Sequence, residues 1–206
     1  SINFVWVLIT GFLVMFMQTG FAMVETGFTR GKNAAHTFSM NYMVYPIGMF
    51  GYWVCGFALQ MGGIAPVAAL GGVAPLNHEV GITLFGKTFD LFGARGFFLG
   101  GDVYDVCVFA LFLFQMVFMD TAVTIPTGSM AERWKWSSFL VYGLFMSMVV
   151  YPLFGNWVWG GGWLADLGAN FGLGHGHVDF AGSSVVHMVG GVAAFAGAIV
   201  IGPRLG

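Results

Sequence analysis

Residues 180–202 read FAGSSVVHMVGGVAAFAGAIVIG and contain no Asp, Glu, Lys or Arg. A helix rises about 1.5 Å per residue, so a helix of this length crosses the roughly 30 Å hydrocarbon core of a bilayer. Inside lipid every backbone polar group needs an internal partner, which a helix supplies. The stretch therefore predicts a membrane-spanning helix.

The composition of the whole chain agrees with this prediction. Hydrophobic residues make up 58% and charged residues 8%, whereas soluble domains carry about 25% charged residues. So few charges cannot cover a water-facing surface, and no basic run suggests nucleic acid. The 33 glycines and 23 phenylalanines are typical of closely packed membrane helices. We interpret the chain as an all-α integral membrane protein.

Four further apolar stretches have the length of a membrane span. The five predicted spans are at about residues 2–28, 36–61, 103–127, 137–158 and 180–202. The first lacks a basic leader, so we expect a retained helix and not a signal peptide. Residues 62–102 are rich in Gly and Pro, and predict a long loop with short helical or re-entrant pieces.

The basic residues predict an orientation. Five of the seven Lys and Arg residues follow the first, third and fifth spans, namely Arg30, Lys32, Arg133, Lys135 and Arg204. The positive-inside rule then places the N-terminus outside and the C-terminus inside. We expect a multi-pass protein of the cell (inner) membrane, with 62–102 and 160–178 outside.

The odd number of spans is itself informative. Many transporters consist of two repeats of opposite topology, and a five-helix unit is the form of one half. Nothing repeats visibly within residues 1–206. We therefore expect an N-terminal repeat whose second repeat is absent from this sequence.

His187 is an ionisable group within an apolar span. It follows Asp179 by eight residues, or about 12 Å along a helix that starts near Asp179. A neutral imidazole there either bonds to a neighbouring helix or faces a narrow conduit, where it could relay a proton. The residues alone leave both interpretations open.

Asp179 and Trp159 also have two interpretations each. Asp179 precedes the apolar run and could cap its backbone N–H groups, or favour a cation at an external mouth. Trp159 opens the run WGGGW, and is either an interfacial anchor or a ring face that attracts a cation.

Other residues predict structural roles. Phe118 lies among several phenylalanines and carries no signal alone. We expect Glu25 and Asp120 to form buried hydrogen bonds, and Cys55 and Cys107 to be packing residues. Among the histidines only the loop pair His175 and His177 has ligand spacing, so the sequence predicts neither a metal site nor a cofactor.

Several motifs together resemble the ammonium transporter (Amt/MEP/Rh) family, its bacterial Amt/MEP-like branch most closely. The longest is DFAGSSVVHMVGG at 179–191, continued by Gly-Pro-Arg at 202–204. The others are GFAMVETG at 20–27 with Arg30–Asn33, Phe114-Gln115 through Ala131-Glu-Arg133, and WGGG at 159–162. They cover all but the second span and the long loop.

The resemblance implies the first five helices of an eleven-helix inverted-repeat fold that assembles as a homotrimer with one pore per subunit. It implies ammonium transport: Trp159 and Phe118 form an outer cation site, Phe118 also gates the pore, and Asp179 supports that site. Ammonium is deprotonated and ammonia passes His187, the first of two pore histidines. The partners implied are ammonium or ammonia, the lipid bilayer and a cytoplasmic PII-type regulatory protein. The resemblance implies no enzyme and no cofactor.

Three other classes stay open from sequence. An ammonium sensor with the same membrane fold is the main alternative. A membrane haem oxidoreductase would need two histidines facing each other at membrane depth, and only His187 lies deep. A purely structural membrane protein is the third.

Overall fold

The computed structural model describes residues 2–71 and 76–205. Within these described residues, five helices are long and apolar enough to cross a membrane, which confirms the predicted number of spans. They are α1 (Ile2–Gly27), α2 (Gly31–Met61), α3 (Val106–Ser129), α4 (Trp136–Trp159) and α6 (Ser183–Ile201). A short helix, α5 (Leu167–Phe171), lies between the last two.

Helix α3 lies at the centre of the bundle and contacts α1, α2 and α6. Its apolar residues surround the helix, as expected of a helix buried on all sides, and Met119 and Val123 are fully buried. Helix α6 approaches closely at Gly190, where a Cβ would lie 2.9 Å from the carbonyl oxygen of Ala122. Small residues of this kind allow membrane helices to pack backbone to backbone.

Three of the long helices contain a π-helical turn, at Tyr52–Gly56, Met146–Val150 and Ser183–Met188. The turn in α4 has a local cause. Pro152 has no N–H, so the carbonyl of Met148 loses its usual helical donor. The thiol of Cys55 lies 3.6 Å from that carbonyl and substitutes for the donor. Cys55 is half-buried and Cys107 is buried.

The long loop contains a β-hairpin, which the Gly and Pro content did not predict. Strands β1 (Glu79–Leu84) and β2 (Lys87–Gly93) pair antiparallel around Phe85 and Gly86, both with positive φ as a tight hairpin turn requires. The expected short helical pieces are present as 3₁₀ turns at Ala68–Leu70, Phe97–Leu99 and Gly101–Val103.

The hairpin lies on the end of α4 and on the segment that follows it. The indole Nε1–H of Trp157 donates to the carbonyl oxygen of Leu91 at 2.9 Å. The backbone N–H of Trp163 donates to the carbonyl oxygen of Asp90, also at 2.9 Å. These bonds fix the hairpin over the end of the bundle where α2 and α4 finish and α3 and α6 begin. We call this the loop end.

The opposite end carries the five basic residues that follow α1, α3 and α6, and we call it the basic end. Glu132 lies at its centre, with a side chain only 3% exposed. It accepts hydrogen bonds from Asn33 and Arg30 and lies 3.6 Å from Arg204. The hydrogen bonds from Asn33 and Arg30 lower the pKa of Glu132 to about 2. Because Glu132 also contacts Arg204, its carboxylate links the ends of three helices.

A buried polar network links α1, α2 and α3. Glu25 accepts from the amide of Asn41 at 2.7 Å and from the hydroxyl of Thr127, which agrees with the structural role predicted for it. The amide of Gln18 donates to Thr124 at 2.6 Å, and Thr124 donates to Asn41 at 2.8 Å.

Asp120 differs from the prediction. Its side chain is 1% exposed, but neither carboxyl oxygen forms a hydrogen bond with the described part of the chain. The expected buried hydrogen bonding of Asp120 is therefore wrong, because the neighbouring face of α2 presents Gly48 in place of a donor side chain. A Cβ on Gly48 would lie 2.4 Å from Oδ1 of Asp120.

Candidate functional site

Trp159 and Phe118 lie in contact at the loop end. Their rings meet edge to face, with centroids 5.7 Å apart, and Phe118 also meets Phe114 at 5.1 Å. The glycines after Trp159 permit this position: a Cβ on Gly160 would lie 2.1 Å from the carbonyl of Gln60, and Gly161 has φ +86°. The chain therefore turns directly against α2 while the indole stays at the end of α4.

Asp179 holds this indole through its backbone. The Nε1–H of Trp159 donates to the carbonyl oxygen of Asp179 at 2.8 Å. The ring also lies against the start of α6, since a Cβ on Gly182 would be 3.6 Å from its Cη2 atom. The orientation of Trp159 thus depends on the segment between Asp179 and α6.

The carboxylate of Asp179 caps α6, which is one of the two interpretations that the sequence left open. Oδ1 accepts from the backbone N–H groups of Gly182 and Ser183, and Oδ2 from those of Ser184 and Val185, at 2.7–2.9 Å. Burial by itself would raise the pKa of Asp179, but these hydrogen bonds outweigh it and lower the pKa to about 2. A fixed negative charge therefore lies at a helix N-terminus, where the helix dipole favours it.

His187 lies closer to the loop end than the sequence indicated. Helix α6 begins at Ser183, so His187 is four residues, or about 6 Å, along the helix. The expected 12 Å was wrong because residues 179–182 form the capping turn. One face of α6 packs into the bundle through Val185, Val186 and Val189. His187 is exposed, so a conduit beside it would need a second wall that the described residues do not form.

One contact at this site was not predicted. The Nε2 atom of His177, in the loop before α6, lies 2.9 Å from the hydroxyl oxygen of Ser184. Ser184 in turn donates to Oδ2 of Asp179 at 2.8 Å. The spacing of seven residues between His177 and Ser184 spans a non-helical turn, and it carries no pattern that would have revealed the pair.

The site contains no cluster of metal ligands. Among residues 2–71 and 76–205, no group of three or more His, Cys, Asp or Glu side chains could hold a metal ion. In the loop pair, His177 uses its Nε2 atom for the contact with Ser184. The chemistry available is an aromatic surface, one fixed carboxylate and two imidazoles.

Comparison with known proteins identifies the family. The model for the Ammonium Transporter Family matches residues 5–206. The chain is 45% identical to Ammonium transporter Amt2 of Archaeoglobus fulgidus, over 100% of this chain and 39% of that protein. It is 35% identical to Ammonium transporter 1 member 3 of Solanum lycopersicum, over 100% of this chain and 40% of that protein. The chain thus spans about two fifths of the length of these relatives.

Solved structures share the fold. A protein described as "Sensor Amt Protein" matches with a TM-score of 0.75 and 32% identity, over 98% of this chain and 44% of that one. Candida albicans Mep2 matches with a TM-score of 0.72 and 24% identity, over 98% of this chain and 39% of its own, and this likeness concerns the fold alone. With the family model matched over nearly its whole length, this multi-pass membrane chain belongs to the ammonium transporter family.

Proposed function

We propose that this chain forms part of a pore that carries ammonium across a membrane, recruiting the cation at Trp159 and Phe118 and conducting ammonia past His187. The observation that carries the proposal is the fixed indole of Trp159. It contacts Phe118 and donates to Asp179 at the start of the helix that bears His187.

Recruitment follows from the electrostatics of the loop end. An aromatic ring face attracts a small cation by about 0.5–2 kcal/mol. The carboxylate of Asp179 is ionised at neutral pH because its pKa is about 2, and its charge adds a longer-range attraction. Both groups attract ammonium and potassium alike, so selectivity has to arise later in the path.

Selectivity arises from the proton. A charged ion inside an apolar section costs several kcal/mol, whereas neutral ammonia avoids that cost. Ammonium can leave its proton behind and potassium cannot. A neutral imidazole at His187 would then exchange hydrogen bonds with ammonia as it passes.

The exposed face of α6 needs a covering surface in the proposed pore. We propose that a second, inverted repeat closes the conduit on the exposed face of α6 and supplies the partner histidine. We further propose a homotrimer in the cell (inner) membrane, with the loop end outside and a PII-type regulator on the cytoplasmic side. Five of the seven basic residues lie at the basic end, which supports this orientation.

An ammonium sensor is the second candidate, because the relative described as "Sensor Amt Protein" is 32% identical. The curated relatives at up to 45% identity are named transporters, which favours transport. Saturable uptake by the reconstituted protein would decide for a transporter, and ligand binding without uptake for a sensor.

The test is uptake of radiolabelled methylammonium by proteoliposomes that contain the protein at its full encoded length. We expect Trp159→Leu to raise the apparent KM about 2- to 30-fold, the loss of one cation–π contact. Trp163→Leu is the matched control, because Trp163 packs on Trp157 and not on Phe118.

His187→Ala should abolish selectivity over potassium while His175→Ala preserves it. Unchanged uptake and selectivity in His187→Ala would refute the conduction path.

A further inference from the structure

We propose that His177 is a positioning residue of the outer cation site and makes ammonium recruitment depend on the pH at the loop end. This inference rests on the function proposed above and adds a residue that the family resemblance does not assign. It is carried by the hydrogen-bonded chain His177–Ser184–Asp179.

The direction of each hydrogen bond in this chain is determined. Oδ2 of Asp179 receives two backbone N–H groups besides the Ser184 hydroxyl, so this oxygen is an acceptor. The single hydroxyl hydrogen of Ser184 is therefore directed at Asp179. The oxygen of Ser184 must then accept from His177, which places a hydrogen on Nε2 of the imidazole.

This arrangement leaves Nδ1 of His177 as the atom that gains or loses a proton. Nδ1 makes no hydrogen bond with the described residues, and the side chain is half-buried at the loop end. Protonation adds a positive charge without breaking the bond to Ser184, because Nε2 carries its hydrogen in both states. An imidazole is the side chain suited to change charge between pH 5 and 8.

A positive charge at His177 opposes the recruitment of ammonium. It lies one hydroxyl group away from the carboxylate that attracts the cation, and it would offset that attraction. Among the described residues, Tyr151 interacts electrostatically with Asp179. Asp166 lies in the turn whose Leu164 carbonyl accepts the backbone N–H of His177, and His175 and His187 are neighbours along the chain. Of these groups, His177 is the one that forms a hydrogen bond with the capping network of Asp179 within residues 2–71 and 76–205.

The experiment measures the apparent KM for methylammonium at pH 8 and pH 5.5 in proteoliposomes containing the full-length protein, with the membrane potential held constant by an ionophore. Methylammonium stays cationic over this range. In the unmodified protein we expect the apparent KM to rise about three- to tenfold on acidification, the size expected for one nearby like charge. His177→Gln keeps an N–H donor for Ser184 but does not titrate, so its KM should match the unmodified protein at pH 8 and change less than about twofold at pH 5.5.

Two further variants separate positioning from charge. His177→Ala loses both the bond and the charge, so we expect a higher KM at both pH values and no pH dependence. His175→Gln should keep the original pH profile. If His177→Gln shows the same rise on acidification as the unmodified protein, or His175→Gln abolishes it, the proposal is wrong. Absence of saturable uptake in the unmodified protein would instead overturn the proposed function, and this inference with it.

Discussion

Asp179 is the residue on which the candidate site depends most directly. Its carboxylate binds four backbone N–H groups of the α6 start, and its carbonyl fixes the indole of Trp159. The capping was predictable, because an Asp before an apolar run is a common helix start signal. The contact between Trp159 and Phe118 was not predictable from spacing, since the two residues come from different helices.

Replacing this carboxylate should destabilise the bundle. Asp179→Asn keeps the size of the side chain, but its NH₂ group faces two backbone donors that need an acceptor. We expect the free energy of unfolding to fall by about 1.5–3 kcal/mol, the range for hydrogen bonds to a charged group. The measurement is chemical unfolding in detergent, followed by tryptophan fluorescence.

Asp166→Asn is the matched control for this substitution. Asp166 precedes α5, and its side chain makes no capping hydrogen bond there. Its change in unfolding free energy should stay within about 0.5 kcal/mol. Equal losses in the two variants would contradict the capping role of Asp179.

At the scale of elements, the β-hairpin lies in a segment for which composition predicted a loop. Gly and Pro frequency alone indicated a loop, whereas alternation in GITLFGKTFDLF around Phe85-Gly86 carried the hairpin signal. The five long helices were predictable because an apolar run of span length leaves few alternatives. The π-helical turns were not predicted, although Pro152 supplies a local cause for the one in α4.

The hairpin should dock in a pH-dependent manner through Glu79. Its Oε1 accepts from Asn156 at 2.8 Å, and its Oε2 is buried and makes no hydrogen bond with the described residues. Burial, helped by the charge of Asp90, raises the pKa of Glu79 from 4.5 to about 7, and the bond from Asn156 opposes this only in part. The folded state therefore binds the proton more tightly than the unfolded state.

The sign follows from that raised pKa. The contribution of Glu79 to docking is fully present below pH 4.5 and is lost as the pH rises through about 7. Hydrogen-exchange protection of the hairpin amides, corrected for intrinsic rates, should fall between pH 5.5 and pH 8.5. Glu79→Gln should remove this dependence, and Glu132→Gln at the basic end should not. A fall of the same size in Glu79→Gln would contradict the assignment.

The polar network between α1, α2 and α3 allows a second test at this scale. Thr124 is fully buried and bridges Gln18 and Asn41. Thr124→Val keeps the shape of the side chain but removes one hydrogen-bond partner each from Gln18 and Asn41. The free energy of unfolding should therefore fall by about 1–3 kcal/mol. In the control, Thr121→Val, the lost bond runs only to Val117 in the same helix, and the change should stay near 0.5 kcal/mol. Equal effects in a denaturant titration would show that the network adds nothing between helices.

At the scale of the whole molecule, α6 has two different faces. One face packs on α3 through Val185, Val186 and Val189, and the other leaves His187 and Phe195 exposed. A membrane protein that holds an imidazole on such a face either covers it or lines a cavity with it. The location of His187 on α6 was predictable from sequence, whereas the second wall of the proposed conduit stays a prediction.

The measurement that tests this account most directly is an experimental structure of the full-length protein in a lipid nanodisc. We predict a narrow passage that starts beneath Trp159 and Phe118 and runs beside the imidazole of His187, with its far wall formed by a second helical repeat. An imidazole of His187 that contacts lipid chains, or that is packed tightly with no passage beside it, would contradict the account.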